Sequence, residues 1–437
     1  MKVNGARKQT VLLTVINGIV RAVGLLMRVW LSRSLGAEIM GIMELAQSVH
    51  MVAITPLTSG MPAAITRLTA KARREHRALP LFSGLWMARI LSAVLVPLLW
   101  ILSKPVSHLM GDVRVLPSLW FTAPCILILG YSAAYNGYCY GSGHNLLPAM
   151  SELIEQLCRF FFTLSLLGLF RHLTAAWTAS IPVAATMMAE IAGLIYVMRS
   201  LRLPTVNESA CRKYCKPIFH LAFPTTLSRL MQTGLRSLTA ILIPLQLQHS
   251  GLAAAEATSR LGMLNGMVMP ILMLPCIFTS ALSMVALPRI AKAEEQPSEM
   301  RRLLLLCIGS CVPFSILCST GIYLAAPLLA IKVYRLAELA SLFRLCAPMT
   351  LLMSFQHLTG SVLSALGQQK RALYASCTVS VITLILTWLW AGDPALRITG
   401  VIQAQYCGCL LSLFLSLLVL LQWRKERRHA KADDRSA

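Results

Sequence analysis

Charged residues are scarce in this sequence. Only 13% of the 437 residues are charged, whereas 56% are hydrophobic. Soluble proteins carry about 25% charged residues. The composition therefore excludes an ordinary soluble domain and predicts a chain that lies in a lipid membrane. Acidic residues are especially few, with 17 Asp and Glu against 40 Lys and Arg. The basic residues fall in short clusters between apolar runs, which argues against a nucleic-acid-binding domain.

The sequence also lacks the patterns of enzyme and cofactor sites. The glycine-rich stretch GYCYGSG at 137–143 is not followed by Lys-Ser/Thr, so it does not match a phosphate-binding loop. Cys211 and Cys215, with His220 nearby, have no second matching pair, and a zinc site is not expected. The sequence therefore predicts a non-enzyme without a cofactor, whose energy comes from an ion gradient, the membrane potential or the substrate gradient.

Apolar runs of membrane-spanning length recur along the chain. A span needs about 20 mostly apolar residues. Short loops separate the runs, which leaves no room for a soluble domain between them. The sequence predicts an all-α polytopic membrane protein with about 12 transmembrane helices. Their centres lie near residues 22, 52, 92, 127, 160, 186, 234, 272, 313, 350, 382 and 410.

Basic residues are distributed unevenly between alternate loops. One set of connections and the two termini hold 25 Lys and Arg, whereas the other set holds 7. Because cytoplasmic loops carry the excess of basic residues, both termini are predicted to lie in the cytoplasm. The expected location is the bacterial cytoplasmic (inner) membrane.

The two halves of the chain resemble each other. Arg21 and Arg28 in span 1 recur as Arg229 and Arg236 in span 7, with an offset of 208. The repeat predicts two pseudo-symmetric six-helix bundles around a central cavity, and repeated halves are typical of transporters. The predicted division is an N-terminal half at 1–200, a cytoplasmic linker at 201–216, a C-terminal half at 217–423 and a basic cytoplasmic tail at 424–437.

Arginines within the spans are the main candidate site residues. Arg21 and Arg28 stand seven residues apart, about two helical turns, and so point to one side of their helix. Each arginine at mid-depth costs at least about 2.5 to 3.5 kcal/mol on insertion scales, which a hydrated cavity or an anionic ligand would offset. Two helical pairs at i,i+4 spacing, Glu155 with Arg159 and Glu256 with Arg260, are expected to neutralise each other.

Three stretches of the sequence resemble one known family. VRAVGLLMRVWLSRSLGAEIMGI at 20–42, followed by SGMPAAITRLTAKA at 59–72, is similar to the opening of the stage V sporulation protein B family. GYCYGSGHNLLPAMSELIEQLCRF at 137–160 and MLPCIFTSALSMVALPRIAKA at 273–293 resemble its fourth to fifth and its eighth helices. That family belongs to the multidrug/oligosaccharidyl-lipid/polysaccharide exporter superfamily, and the resemblance implies alternating access around a central cavity.

The resemblance also implies a substrate class. Related members flip lipid-linked sugars, including the peptidoglycan precursor lipid II, and arginines of their first and eighth helices line the cavity. Arg21 matches the first-helix arginine, and Arg260 corresponds to the eighth-helix arginine. Arg28 lies one position off the second first-helix arginine but fits the sporulation family's own pattern. Arg229 and Arg236 would complete a cationic chamber. Arginine suits this role because its planar fork binds phosphate through two parallel hydrogen bonds. Pro270 and Pro275, five residues apart, are the candidate hinge.

The leading hypothesis is a flippase for a lipid-linked oligosaccharide or a lipid II-like peptidoglycan precursor. The expected partners are the lipid-linked substrate, membrane lipids, a monovalent ion and cell-wall synthesis enzymes. The first alternative is a cation-coupled multidrug exporter of the same superfamily, which needs a buried acid such as Glu44 or Glu190. Glu44, Glu190 and Glu256 are accordingly ion-coupling or structural candidates. The second alternative is a non-transporting scaffold for envelope assembly.

Overall fold

The computed structural model describes residues 2–73, 76–170, 172–201, 203, 212–292 and 296–436. This part of the chain is almost entirely helical and contains no strand, which confirms the predicted all-α class. The predicted linker at 201–216 lies mostly outside it. The helices are α1 (Lys2–Thr58), α2 (Gly60–Lys71), α3 (Leu79–Leu109), α4 (Leu116–Ser142), α5 (Leu146–Leu169), α6 (Ala175–Ser200), α7 (Cys215–His249), α8 (Ala254–Leu261), α9 (Met269–Leu272), α10 (Pro275–Lys292), α11 (Pro297–Leu328), α12 (Leu339–Cys346), α13 (Met349–Ala365), α14 (Gln369–Ala391) and α15 (Ile398–Ser436).

The first helix is broken at Gly36. Its 57 residues would extend about 85 Å if straight, far more than the ~30 Å hydrocarbon core of a bilayer. Gly36 has φ 81° and ψ 173°, a conformation that glycine adopts readily because it has no Cβ. The break separates the spans predicted around residues 22 and 52.

Helices lie at all twelve predicted span centres. Among the described residues, seven helices are long and apolar enough to cross a membrane, or eight when α12 and α13, bent by 46°, count as one span. One of the seven runs from Leu12 to Lys71 and holds two predicted spans, on either side of Gly36. The other predicted spans fall on α5 and α7, which carry charged residues, and on the interrupted series from α8 to α10.

The described chain divides into two compact units. Unit 1 comprises residues 1–244 and 254–262, and unit 2 comprises residues 245–253 and 263–437. Most of α7 and all of α8 therefore pack with the N-terminal helices. The division into sequence repeats at residues 200 and 217 stays a prediction, since packing units need not follow repeat units.

Unit 1 is held together by close helix crossings. Its core is built around the end of α1 and around α2, α3 and α4, where Leu57, Ile65 and Ile126 are almost fully buried. A Cβ on Gly41 of α1 would lie 1.9 Å from the carbonyl oxygen of Thr258 on α8. Because backbone cannot yield as a side chain can, only glycine allows α1 and α8 to cross this closely.

A buried carboxylate connects the middle of α8 to the loop before α4. Asp112, only 5% exposed, accepts hydrogen bonds from Arg114 Nε at 2.9 Å and Nη2 at 2.7 Å. Thr258 Oγ1 donates at 2.9 Å to Oδ2 of Asp112, the oxygen that also accepts from Nη2 of Arg114. Arg114 also pairs with Glu38. Burial raises the pKa of Asp112, but the hydrogen bonds from Arg114 and Thr258 together outweigh it and leave that pKa below its ordinary value.

Asp112→Asn is therefore expected to destabilise unit 1 by about 1.5 to 3 kcal/mol, the usual worth of hydrogen bonds to a charged group. Because folding depresses the pKa of Asp112, its contribution is present above the unfolded value of about 3.9 and is lost as the pH falls below it. Thermal unfolding in detergent should show a lower midpoint for the variant at pH 7, with the difference shrinking below pH ~4. Asp393→Asn, in an exposed loop where the side-chain oxygen Oδ1 accepts from Ala395 N, is the matched control. An equal shift in both variants would contradict the role of Asp112.

Unit 2 has its own core, formed where α10, α11 and α13 pack together. Ile290, Cys311, Leu358 and Val362 are among its buried members. The unit begins within the helix series after α8, where a π-helix at Gly262–Val268 is followed by α9 and, after Met273 and Leu274, by α10. This series contains both prolines of the predicted hinge.

Candidate functional site

A polar cavity of about 430 Å³ lies inside unit 1. Its walls come from the two halves of α1 on either side of Gly36 and from α5 and α6. Apolar side chains line most of it, and a few charged and amide groups converge on it, as in many ligand sites. The lining residues are Gly24, Met27, Arg28, Leu31, Met40, Met43, Glu44, Ala46, Gln47, His50, Met51, Gln156, Arg159, Pro182, Val183 and Thr186.

The break in α1 brings two predicted site residues together. Arg28 stands eight residues before Gly36, and Glu44 stands eight residues after it. In a straight helix these residues would be about 24 Å apart. In the folded chain, Arg28 Nη2 forms an ion pair with Glu44 Oε1 at the cavity wall. Glu44 therefore offsets part of the cost of placing Arg28 in the membrane.

A second ion pair joins α5 to α6 beside the same cavity. Arg159 Nη2 lies 3.5 Å from Glu190 Oε1. Arg159 forms no ion pair with Glu155 among the described residues, although its charge still acts on that carboxylate. Glu155 accepts a 2.7 Å hydrogen bond from Ser151 Oγ. Glu155 also faces Gly193 of α6, where a Cβ would lie 2.3 Å from its Oε1. The Glu155 side chain thus lies against α6.

Two buried polar atoms of the cavity wall have no hydrogen-bond partner among the described residues. They are Nδ1 of His50 and Nε of Arg159. Unpartnered buried polar atoms are uncommon in folded proteins and call for an explanation. Both atoms belong to side chains that line the cavity, so they are available to a polar ligand that enters it.

The other predicted arginines lie outside the cavity wall. Arg21 is exposed on α1, and Arg229 and Arg236 are exposed on α7. Among the described residues, none of the three forms an ion pair. Ser237, next to Arg236, donates a 2.7 Å hydrogen bond to the carbonyl oxygen of Ser48, one turn beyond Glu44. The α7 arginines therefore flank a helix face that packs on the second half of α1.

Arg260 and Glu256 form an ion pair within α8, with Nη2 of Arg260 3.4 Å from Oε1 of Glu256. This confirms the expected i,i+4 contact. Pro270 lies in the four-residue α9, and Pro275 begins α10. Their role as a hinge stays a prediction.

The sequence did not point to several cavity residues. His50, Gln47 and Gln156 line the wall, but isolated polar residues in apolar runs are ambiguous without the fold. The sequence does identify Arg159 as an arginine within one predicted span and its partner Glu190 as an acidic residue within the next. Helical spacing favoured Glu155 as the partner of Arg159, because the spacing within one helix carries no information about contacts with other helices.

Comparisons with known proteins agree with this architecture. The chain is 26% identical over 430 residues to stage V sporulation protein B of Bacillus subtilis (strain 168), covering 92% of this chain and 81% of the relative. It is similar to the solved lipid II flippase MurJ in an inward closed conformation, with a TM-score of 0.73, 14% identity and coverage of 92% and 87%. It is also similar to an inward-facing multidrug resistance MATE family transporter of the MOP superfamily, with a TM-score of 0.71, 15% identity and coverage of 96% and 99%.

At these low identities the solved structures show the fold alone, which this chain shares with them. The family assignment rests on the sequence model of the polysaccharide biosynthesis protein family, which matches residues 6–294. That stretch includes the broken first helix, the cavity of unit 1 and the series from α8 to α10. The chain belongs to the polysaccharide biosynthesis protein family.

Proposed function

We propose that this protein flips a lipid-linked oligosaccharide, or a peptidoglycan precursor resembling lipid II, across the bacterial cytoplasmic membrane by alternating access. The observation that carries the proposal is the pair of arginines, Arg28 and Arg159, on the wall of the polar cavity in unit 1. Lipid-linked sugars carry a phosphate or pyrophosphate that must leave bulk water during the crossing. Guanidinium groups bind such anions through two parallel hydrogen bonds and stay charged during the whole crossing.

The ion pairs give the cavity a way to bind and release the anion. Arg28 is neutralised by Glu44, and Arg159 by Glu190. A phosphate that enters competes with each carboxylate for its arginine, so the carboxylates return when the phosphate leaves. This competition keeps the affinity for the anion moderate, and a transporter needs a moderate affinity in order to release its substrate. Glu44 and Glu190 are in this proposal partners of the arginines, and Glu256 is the structural partner of Arg260.

The remaining predicted arginines have supporting roles in the proposal. Arg21 stands two turns before Arg28 on α1 and passes the phosphate toward or away from it. Arg229, Arg236 and Arg260 belong to the same unit and extend the cationic surface that attracts an anionic head group. Membrane lipids surround the chain, and enzymes of cell-wall synthesis are the proposed partners that supply or consume the substrate.

A cation-coupled multidrug exporter is the second candidate. It is supported by the fold similarity to a MATE family transporter and by two carboxylates, Glu44 in the cavity wall and Glu190 beside it in the pair with Arg159. An organic cation would need those carboxylates to be free. Both are paired with arginine. Nε of Arg159 has no partner among the described residues and can donate to an anion but not to a cation, so the flippase is the better-supported function.

Flipping of fluorescent lipid II in vesicles that contain the purified protein tests the proposal. We expect the protein to move the labelled lipid to the opposite leaflet, where a membrane-impermeant reductant no longer quenches it. Protein-free vesicles measure the spontaneous rate. Uptake of an organic cation by the same vesicles, without lipid II flipping, would replace the flippase with the exporter.

The proposed orientation has both termini in the cytoplasm. Thiol labelling of intact cells checks it, with the native cysteines as background. Lys104→Cys, in the stretch proposed to face outward, should react with a membrane-impermeant reagent, whereas Arg73→Cys should react only after permeabilisation. Both positions are exposed. The reverse labelling pattern would invert the proposed topology.

A further inference from the structure

Uncharged polar side chains continue the wall of the unit 1 cavity beyond its ion pairs. Glu44, Gln47 and His50 stand at intervals of three residues on the second half of α1, so they lie on one side of that helix. All three line the cavity. His50 stands six residues, about 9 Å along the axis, beyond the carboxylate that pairs with Arg28. The wall therefore changes along α1 from a charged part to an uncharged polar part.

His50 is the buried end of this polar wall. It is 8% exposed, and its Nδ1 has no hydrogen-bond partner among the described residues. A buried polar atom without a partner loses the hydrogen bond that it makes in water, which is unfavourable unless a ligand restores the bond. The charge of Arg159 acts on the His50 ring, so the imidazole lies near the guanidinium that is proposed to bind phosphate. Nδ1 of His50 is thus available to a ligand that is bound at Arg159.

An amide on α5 adds a further uncharged polar group to the wall. Gln156 is 8% exposed and stands three residues before Arg159, on the same side of α5. Its Nε2 lies against the first half of α1, where a Cβ on Gly24 would be 3.4 Å away. Gly24 stands one helical turn before Arg28. Uncharged polar groups therefore accompany both arginines of the cavity.

Amides and imidazoles bind different groups from those that guanidinium groups bind. A guanidinium has only donors, which suits an anion, whereas an amide and a neutral imidazole each have both donors and acceptors. A phosphate oxygen only accepts, so it leaves the acceptor of an amide unsatisfied. A sugar hydroxyl both donates and accepts, and it can therefore bond Nδ1 of His50 in either tautomer. The uncharged part of the wall has the chemistry that sugar hydroxyls require.

We propose that Gln47, His50 and Gln156 form a sugar-binding subsite of the cavity, in which Nδ1 of His50 bonds a ring hydroxyl of the sugar next to the phosphate. The subsite rests on the proposed function, because it needs a substrate whose phosphate is bound at Arg28 and Arg159. The offset of about 9 Å along α1 is within the reach of a sugar ring attached to that phosphate. His50 determines substrate specificity in this proposal, whereas the arginines bind any phosphate-linked lipid.

Competition against the flipping of fluorescent lipid II in vesicles tests the subsite. The two unlabelled competitors are a polyprenyl pyrophosphate that carries one sugar and the same lipid without a sugar. The measured quantity is the ratio of their half-inhibitory concentrations, which does not depend on the amount of folded protein. We expect the sugar-bearing lipid to compete more strongly in wild type. His50→Leu should reduce that advantage about three- to tenfold, the effect of one hydrogen bond between uncharged groups.

Matched variants separate the Nδ1 contact from other effects of the substitution. His50→Asn keeps a polar atom near the position of Nδ1 and should retain most of the advantage, whereas His50→Gln places its amide near the position of Nε2 and should lose it. His108→Leu removes an exposed histidine at the end of α3 and should leave the ratio unchanged. A wild-type ratio in both His50→Leu and His50→Gln would overturn the sugar contact.

Arg28→Ala should give the complementary pattern. It weakens competition by both lipids, because both carry the pyrophosphate, and leaves their ratio near that of wild type. Equal weakening of both competitors in His50→Leu would assign His50 to the phosphate or to the support of the wall, and would overturn the subsite. If wild type flips no lipid II, the proposed function is wrong and the subsite falls with it. If wild type flips lipid II and the His50 variants keep its ratio, the subsite alone is wrong.

Discussion

Arg28→Ala should reduce flipping of a lipid-linked oligosaccharide about 10- to 100-fold per molecule of inserted protein. A hydrogen bond to a charged group is worth about 1.5 to 3 kcal/mol, and each 1.36 kcal/mol corresponds to a tenfold change in rate. Removing the arginine also makes membrane insertion easier, so the amount of protein in the membrane should not fall. Flipping in vesicles, normalised to the inserted protein, measures the effect.

Two further variants refine this result. Arg28→Lys should retain part of the activity, because an ammonium group keeps the charge but loses the bidentate fork. Arg21→Ala should show a smaller loss, since Arg21 is exposed and does not line the cavity. If Arg28→Ala lowers protein abundance and the surviving molecules flip lipid at the wild-type rate, Arg28 is a structural residue.

Replacing Glu44 is expected to have the second large effect on transport. Glu44→Gln removes the carboxylate that competes with phosphate for Arg28, so the substrate should bind more tightly and leave more slowly. We expect turnover to fall about tenfold while the apparent affinity for the lipid-linked substrate rises. The stability cost should be about 1 to 3 kcal/mol, between that of exposed and buried pairs, because the Arg28 side chain is 37% exposed.

Exchanging the two residues separates stability from transport. The double variant Arg28→Glu/Glu44→Arg restores an ion pair across the break at Gly36 but moves the guanidinium to the other half of α1. We expect it to recover the thermal stability lost in Glu44→Gln and to remain inactive in flipping. Recovery of flipping in the double variant would show that only the ion pair matters and would contradict a positioned phosphate ligand.

The spans were predictable because hydrophobicity is a local property. Helices cover all twelve expected centres, including the two that lie on either side of Gly36 in α1. The conformation of Gly36 was not predictable, since a glycine at a helix break and a glycine within a continuous helix look alike in sequence. The contact between Arg28 and Glu44 depends on that conformation, so it could not be foreseen either.

The arginine pairings show the same limit. The i,i+4 pair of Glu256 and Arg260 forms within one helix, where spacing alone determines the contact. Arg159 has an equally spaced acid in Glu155 but pairs with Glu190 on the next helix. The difference lies in the packing of α5 on α6, where Gly193 leaves room for the Glu155 side chain. The packing between helices therefore determines which acidic residue forms an ion pair with an arginine in the membrane.

The most direct measurement compares substrates that share a polyprenyl chain and a sugar but differ in the linking group. Vesicles with the wild-type protein should flip the pyrophosphate-linked lipid fastest, the monophosphate-linked lipid more slowly and an uncharged glycolipid at the protein-free rate. Arg28→Ala should remove the difference between them. Equal flipping of charged and uncharged lipids, or transport of an organic cation in place of all three, would contradict a phosphate site at Arg28 and Arg159.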